Sequence, residues 1–154
     1  MIAEDGPLRS AAPRIRVVGA AIVDDLARPT QVLAARRTEP PALAGGWEVP
    51  GGKVDPGEMP DAALVREIRE ELGVEITLGG RLTGTLPDGA FPLGEGYAMD
   101  VWLAEIRDGR PTPLEGHDAL RWLAVGELYT VPWLPDDLPV VAVLARRLLS
   151  GGRC

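Results

Sequence analysis

The sequence predicts an α/β (α+β) fold in which a mixed β-sheet is sandwiched between helices. Short segments of alternating or continuous apolar residues, bounded by turns rich in glycine and proline, are typical of strands, and two longer segments have the apolar spacing of helices. The chain has 154 residues, of which 45% are hydrophobic, and this size supports one compact core. We therefore expect one domain over residues 14–150, a flexible N-terminal arm over 1–13 and a short tail over 151–154.

Six strand segments are expected, three before the central helix and three after it, separated by clear turn signals. They are residues 15–23, 31–35, 47–49, 75–86, 97–106 and 120–124. The Pro-Asp-Gly triplet at 87–89 and the Asp-Gly pair at 108–109 favour tight turns. After Pro139, the run VVAVLARRLL has apolar spacing suited to a helix that packs on the sheet and ends at Gly151 and Gly152.

The central helix is expected over residues 61–72, where helix-forming residues follow Pro60 and precede the stop signal Gly73. Helical spacing puts Glu67, Glu70 and Glu71 on one face, apart from an apolar stripe that packs against the sheet. The stripe consists of Leu64, Val65, Ile68 and Leu72.

Clustered carboxylates on one helix face resist ionising together unless a cation neutralises them. Oxygen ligands with no thiolate or imidazole nearby suit a hard ion such as Mg²⁺ or Mn²⁺ and disfavour zinc or copper. The same residues could form a solvated acidic face, closed by an Arg66–Glu70 pair that contributes only ~0.2–0.5 kcal/mol. The glycine-rich turn before the helix favours the metal site.

Residues 52–74 read GKVDPGEMPDAALVREIREELGV and match the Nudix box at every specified position. The chain therefore resembles the Nudix hydrolase family. The strings WEVPGGKV, HDALRWL and WLPDDLP are similar to those of its MutT and CTP pyrophosphohydrolase branch. The resemblance implies a Mg²⁺-dependent sanitiser of the nucleotide pool that converts a nucleoside triphosphate, of the dCTP/CTP type or 8-oxo-dGTP, into the monophosphate and pyrophosphate.

The resemblance also implies which residues do the chemistry. The implied metal ligands are the Gly51 carbonyl, Glu67, Glu70, Glu71 and Glu115, and the implied catalytic residues are Glu58, Arg66, Glu67, Glu70 and Glu115. Arg66 is the orienting arginine, whose guanidinium can hold a carboxylate with two hydrogen bonds. Glu58 would stabilise the loop and the helix start, or act as a simple charge near the helix N-terminus worth ~0.3–1 kcal/mol.

Three positions, one in the box and two after it, leave alternatives open. Met59 stands where relatives place a capping Ser or Thr, which costs ~1 kcal/mol unless Glu58 or Asp61 compensates. Glu115 matches the additional acid of the MutT branch, whereas the cytidine-nucleotide branch has its acid directly before the histidine, where this chain has Gly116. His117 could be a catalyst or a hydrogen-bonded structural residue.

Substrate contacts are implied on both sides of the box. Arg37 and Lys53 match positions that face phosphates, with Arg36 as the weaker candidate. The base-reading position aligns with Asp137, and its neighbour Asp136 is the alternative. An ionised aspartate only accepts hydrogen bonds, so it suits a cytosine amino group or the amino edge of guanine.

Two further alternatives concern residues 129–137. Asp137 could instead cap the C-terminal helix, with Pro139 in its first turn. Trp133 and Tyr129 could stack on a base, or belong to the core.

Charge and composition limit the partners. A net charge of −7 argues against a nucleic-acid polymer, because binding a phosphate backbone needs a basic patch, but it accepts a small nucleotide that carries its own Mg²⁺. The N-terminus has no apolar signal region and no segment is long enough to span a membrane. The single cysteine, Cys154, fits a reducing cytoplasm. A monomer and a homodimer are both compatible with these observations.

Two other functions remain compatible with the Nudix box. One is a Nudix hydrolase of ADP-ribose, nucleotide sugars or diadenosine polyphosphates. The other is a Nudix-fold protein that binds or regulates without catalysis, although all four box glutamates are present.

Overall fold

The structure is a computed structural model that describes residues 14–149; the arm expected at 1–13 and the tail expected at 151–154 lie outside them. Residues 14–149 form eight strands, two α-helices and two short 3₁₀-helices. The strands are β1 Ile15–Val23, β2 Gln31–Arg37, β3 Trp47–Glu48, β4 Gly51–Lys53, β5 Glu75–Leu82, β6 Phe91–Leu93, β7 Tyr97–Asp108 and β8 His117–Ala124. The helices are α1 Pro60–Leu72 and α2 Leu138–Arg147, with 3₁₀ turns at Val125–Thr130 and Pro135–Asp137.

The strands form one mixed sheet, as the sequence predicts. Strand β1 lies parallel to β7 along its whole length and pairs antiparallel with β2 and β4. Strand β2 also pairs antiparallel with β3 and β8, while β5 and β6 pair antiparallel with β7. The pairing of β4 with β1 brings the glycine-rich segment before α1 to the centre of the sheet.

Both faces of the sheet are buried, each against one α-helix. Along β1, Val18, Ala20 and Ile22 pack in the cluster that contains α1, whereas Ala21 and Val23 pack in the cluster that contains α2. The buried helix residues are Ala63, Leu64, Ile68 and Leu72 in α1, and Val140, Val141 and Leu144 in α2. Each buried Leu or Ile contributes ~1.5–3 kcal/mol. The predicted arrangement of a sheet between helices is confirmed.

Helix α1 begins and ends as the sequence predicts. Pro60 is in the first turn, and Met59 makes no side-chain capping hydrogen bond. The Asp61 carboxylate accepts the N–H of Ala62 at 2.8 Å, so it partly replaces the missing cap. At the other end, Gly73 adopts a left-handed conformation with φ of 72°, a geometry that favours glycine.

Several predicted boundaries are wrong. Strand β5 ends at Leu82 because the backbone N–H of Gly84 donates to Gly89, which starts the turn early. Helix α2 ends at Arg147, since Leu148 is extended and the next N–H donates to the Pro29 carbonyl. The short strands β4 and β6 lack the length and apolar alternation that reveal a strand. Neither α-helix of residues 14–149 has the length and apolar character needed to cross a membrane.

A β-bulge in β8 determines which of its side chains lie on the same face of the sheet as a given side chain of β2. Arg36 pairs with Ala119 and Arg37 pairs with His117, so Asp118 is an extra residue in the strand. Because side chains alternate along a strand, the extra residue turns His117 to the face that carries Arg37. Asp118 points with Arg36 instead and accepts a hydrogen bond from its Nε at 2.8 Å.

Candidate active site

The loop before α1 is fastened to the helix by Arg66. Its Nε and Nη2 donate to the two Glu58 oxygens at 2.8 and 2.9 Å, and Nη2 also reaches the Lys53 carbonyl at 3.2 Å. Glu58 in turn accepts the N–H of Asp55 at 3.0 Å. The two hydrogen bonds from Arg66 lower the pKa of Glu58 to about 2. Glu58 is therefore a negative partner that holds Arg66 beside the helix and closes the loop.

Arg66 also contacts two of the glutamates on the acidic face. Its Nη1 lies 3.1 Å from Glu67 Oε2 and 3.3 Å from Glu70 Oε1. The Glu67 carboxylate lies directly over Gly52, and a Cβ at this glycine would overlap it. A Cβ at Gly51 would overlap the Val18 carbonyl. The two glycines therefore let strand β4 lie against β1 on one side and against a carboxylate on the other.

Glu71 is the most buried of the box glutamates, with a side chain that is 14% exposed. Its Oε1 accepts the N–H of Gly51 at 3.2 Å and lies 4.0 Å from His117 Nδ1. Burial raises the pKa of Glu71 to about 8, and the charges of Glu48 and Glu67 act in the same direction. Burial also raises the pKa of Glu67. This end of the site therefore holds more negative charge than its protein neighbours neutralise.

The chemistry of these donors fits a hard divalent cation. Within residues 14–149, no three acidic, histidine or cysteine side chains stand together as a finished metal cluster. Arg66 pairs with Glu67 and Glu70, and Glu71 faces the Gly51 N–H, so each carboxylate has a protein partner that a cation would replace. Oxygen donors, a pKa raised by burial and the glycine cradle of the Glu67 carboxylate are the features that suit Mg²⁺ or Mn²⁺.

Glu48, an acidic residue outside the Nudix box, enters the site from β3 and was not expected there from the sequence. His117 Nε2 lies 2.8 Å from Glu48 Oε2, and His117 Nδ1 lies 2.9 Å from the Glu115 carbonyl. A carbonyl and a carboxylate both accept, so these two contacts favour the protonated imidazole, in which both ring nitrogens donate. Burial alone lowers the pKa of His117, but Glu48 and Glu71 raise it above its ordinary value.

A cavity of about 720 Å³ runs beside these groups, a volume suited to a nucleotide-sized ligand. Its wall includes Gly51, Gly52 and Lys53 from β4. The other polar wall residues are Arg37, Glu48, Tyr97, Asp136 and Asp137, and the apolar wall residues include Leu43, Leu93, Met99 and Leu134. The cavity therefore connects the glycine segment beside the box glutamates with the segment expected to read a base.

Asp137 lines this cavity and is only 5% exposed. It precedes α2 but makes no side-chain capping hydrogen bond, so the capping interpretation is wrong. Burial, assisted by the charge of Glu48, raises the pKa of Asp137 well above its ordinary value, while the Val49 N–H acts to lower it. Burial therefore opposes the ionised, acceptor-only form of the aspartate on which the expected base contacts depend.

The cavity has a different aromatic wall from the one that the sequence predicts. Trp133 is buried in the core and its indole N–H donates to the Leu128 carbonyl at 2.6 Å. Tyr129 is 63% exposed on the 3₁₀ turn and is not on the cavity wall. The proposed stacking roles of both residues are therefore not supported. Tyr97 lines the cavity instead, with Lys53 Nζ 5.7 Å from the centre of its ring.

The remaining predicted residues are Asp136, Glu115 and Arg36. Asp136 is exposed on the cavity wall, as expected for a neighbour of Asp137. The Glu115 side chain is exposed, and its backbone carbonyl is the group that contacts His117. Arg36 lies outside the cavity, 5.8 Å from the centre of the Trp47 ring. Glu48 could have been suspected from its polar character within the WEVPGG string, but nothing in the sequence distinguishes Tyr97.

The raised pKa of Glu71 predicts how the metal-free protein responds to pH. The folded pKa of about 8 exceeds the ordinary value of 4.5, so the folded state binds this proton more tightly. The resulting stabilisation is present below pH 4.5 and is lost as the pH rises through 8. With EDTA present, we expect the Tm of the wild type to fall from pH 5 to pH 8.5 more steeply than that of Glu71→Gln. Equal slopes in thermal melts would contradict the burial of this carboxylate.

Comparison with known proteins agrees with the geometry. The NUDIX domain model matches residues 13–144. A protein of Mycobacterium tuberculosis (strain ATCC 25618 / H37Rv) named "Putative 8-oxo-dGTP diphosphatase 2" is 40% identical over 135 residues, or 86% of this chain and 89% of that protein. The CTP pyrophosphohydrolase of Escherichia coli (strain K12) is 36% identical over 124 residues, or 80% and 87% of the two chains.

A solved structure gives the same result for the fold. The crystal structure of a MutT NUDIX hydrolase from Burkholderia pseudomallei superposes with a TM-score of 0.70 at 33% identity, covering 86% of this chain and 98% of that one. The match of family model, relatives and fold extends over the box, the glycine segment and the cavity. The chain therefore belongs to the Nudix family and is a Nudix hydrolase.

Proposed function

We propose that this hydrolase is a Mg²⁺-dependent nucleoside triphosphate pyrophosphohydrolase that sanitises the nucleotide pool. The observation that carries the proposal is one cavity whose wall contains both Lys53, in the glycine segment beside the box glutamates, and the buried Asp137. A nucleoside triphosphate has the matching groups, a polyanion and a hydrogen-bonding base. The products would be a nucleoside monophosphate and pyrophosphate.

The metal would be held by the box glutamates and by a backbone oxygen. The Gly51 carbonyl, Glu67, Glu70 and Glu71 are the proposed ligands, with Mn²⁺ as a possible substitute for Mg²⁺. When bound, the ion neutralises phosphate charge and makes water a stronger nucleophile. Arg66, fixed by Glu58, orients Glu67. Without Arg66, the neighbouring carboxylates would be free to rotate. This orienting role explains why an arginine stands among them.

The other proposed contacts are made by protein side chains. Arg37 and Lys53 line the cavity and would bind the phosphates, because both side chains carry fixed positive charge. Glu115, whose side chain is exposed, remains the proposed additional acid. Asp137 would read the base. A carboxyl group that keeps its proton donates as well as accepts, so it can pair with a cytosine edge or with an oxidised guanine edge.

A substrate screen tests the proposal directly. Purified protein with Mg²⁺ is assayed for pyrophosphate release from CTP, dCTP, 5-methyl-dCTP, 8-oxo-dGTP and ADP-ribose, and products are identified by chromatography. We expect a triphosphate to be the best substrate and pyrophosphate to be the main inorganic product. Orthophosphate with a nucleoside diphosphate as main products, or preferential turnover of ADP-ribose, would refute the proposal.

Substitution of Asp137 tests base recognition. We expect Asp137→Ala to lower kcat/KM for the preferred base roughly 10-fold or more. Poor substrates should be affected little, because they do not make the contact with the base edge that the substitution removes. Asp137→Asn keeps an acceptor for the Val49 N–H and should cost less. The exposed Asp136→Ala is the matched control. If kcat/KM for CTP, dCTP and 8-oxo-dGTP keeps the same ranking in Asp137→Ala, this residue does not read the base.

A further inference from the structure

Glu48 is an acidic residue on the cavity wall that the proposed function does not use. Its side chain is 12% exposed and contacts two cationic side chains. Oε2 accepts from His117 Nε2 at 2.8 Å, and Arg37 Nη1 donates to Oε1 at 3.2 Å and to Oε2 at 3.4 Å. Glu48 thus joins a side chain beside the box glutamates to a side chain on the cavity wall.

Arg37 is anchored from three directions. Its backbone N–H donates to the Gly46 carbonyl and its carbonyl accepts from the Gly45 N–H, both at 2.9 Å. Its side-chain Nε donates to the Glu39 carbonyl at 2.8 Å, and Nη1 contacts Glu48. A guanidinium has five N–H groups, and among residues 14–149 the two on Nη2 have no partner, which leaves them for a ligand. An arginine held in this way loses less conformational entropy when it binds a phosphate.

A direct role of Glu48 in the reaction fits the structure poorly. A carboxylate repels phosphate oxygens, and both Glu48 oxygens are already engaged by His117 and Arg37. Its position suits an indirect role, because the buried His117 fixes the carboxylate that holds the Arg37 guanidinium. The bulge in β8 is what brings His117 to this face.

We infer that Glu48 is a positioning residue that holds the Arg37 guanidinium at the cavity wall, where it binds the polyphosphate of the substrate. His117 is the support that fixes Glu48. This inference rests on the proposed function, since it requires a substrate with phosphates near Arg37. It assigns a specific task to an acid outside the Nudix box.

A double-mutant cycle tests the inference with the triphosphate that the substrate screen selects. Glu48→Gln keeps the size of the side chain but removes its charge, and we expect it to raise KM roughly 10-fold while kcat changes less than about 3-fold. Arg37→Ala should raise KM at least as much. In the Arg37→Ala background, Glu48→Gln should change KM by less than about 2-fold, because its effect acts through the arginine.

The matched control is Asp118→Asn, which breaks the neighbouring Arg36–Asp118 pair on the same two strands but outside the cavity. We expect its KM to equal that of the wild type. If Glu48→Gln does not fold, Glu48→Asp, which keeps the charge but shortens the side chain, replaces it in the cycle. Equal effects of the Glu48 substitution with and without Arg37 would overturn the inference, as would an unchanged KM. Absence of triphosphate hydrolysis by the wild type would refute the proposed function instead.

Discussion

Glu71→Gln is expected to lower kcat roughly 10²- to 10⁴-fold and to leave the fold intact. Its carboxylate is the most buried of the proposed metal ligands, and an amide cannot supply the same negative charge to the ion. In the absence of metal and above pH 8, the Tm should be equal to or higher than that of the wild type, because the variant lacks the buried charge that the wild type then carries near Glu48 and Glu67. Steady-state kinetics and thermal melts in EDTA measure both effects.

Two further variants make this result specific. Glu70→Gln should show a loss of similar size, although Glu70 is 43% exposed and its removal should affect Tm less. Glu75→Gln is the control, because Glu75 pairs with Arg69 beyond the end of α1 and away from the cavity. Near-normal turnover by Glu71→Gln would show that the metal assignment is wrong, whatever the result with Glu70.

Alanine substitutions at the two adjacent glycines should have different consequences. The added Cβ at Gly52 would overlap the end of the Glu67 side chain, which can rotate away, so Gly52→Ala should fold. Displacing a proposed metal ligand should still cost roughly 10²-fold in kcat. The Cβ at Gly51 would overlap the backbone of Val18, which cannot move without breaking the pairing of β1 with β4. Gly51→Ala should therefore be poorly folded.

Circular dichroism, thermal melting and kinetics on Gly51→Ala and Gly52→Ala check these expectations. We expect a Tm within a few degrees of the wild type for Gly52→Ala and a large drop, or insoluble protein, for Gly51→Ala. Raising the Mg²⁺ concentration should partly restore Gly52→Ala, since a displaced ligand weakens metal binding. A fully active Gly52→Ala would mean that the Glu67 carboxylate is not needed where the structure places it.

The parts of the fold set by local sequence were the predictable ones. Pro60 and Gly73 bound α1, and its apolar stripe faces the sheet, because proline, glycine and helical periodicity act over a few residues. Strand β4 could not be found in this way. Its residues pair with β1 because Gly51 and Gly52 allow a close approach, a contact between segments more than thirty residues apart.

The same distinction between local sequence and strand pairing applies to the candidate site. The spacing of Glu67, Glu70 and Glu71 follows from one helix, so their common location was foreseeable. Neither Glu48 nor Tyr97 could be assigned, since each reaches the cavity through strand pairing. Burial also changed the expected chemistry of Asp137, because the pKa of a carboxyl group depends on surroundings that the sequence does not specify.

The extra residue in β8 makes the register of a strand, and not only its composition, a determinant of the chemistry. If the bulge were absent and Asp118 paired with Arg37, strict alternation would turn His117 toward the opposite layer of the protein. Glu48 and Glu71 would then lose the histidine between them although every charged residue of the site was retained. Deletion of Asp118 would instead leave His117 opposite Arg37, so a homologous sequence with a gap at this point would keep the electrostatics of the cavity.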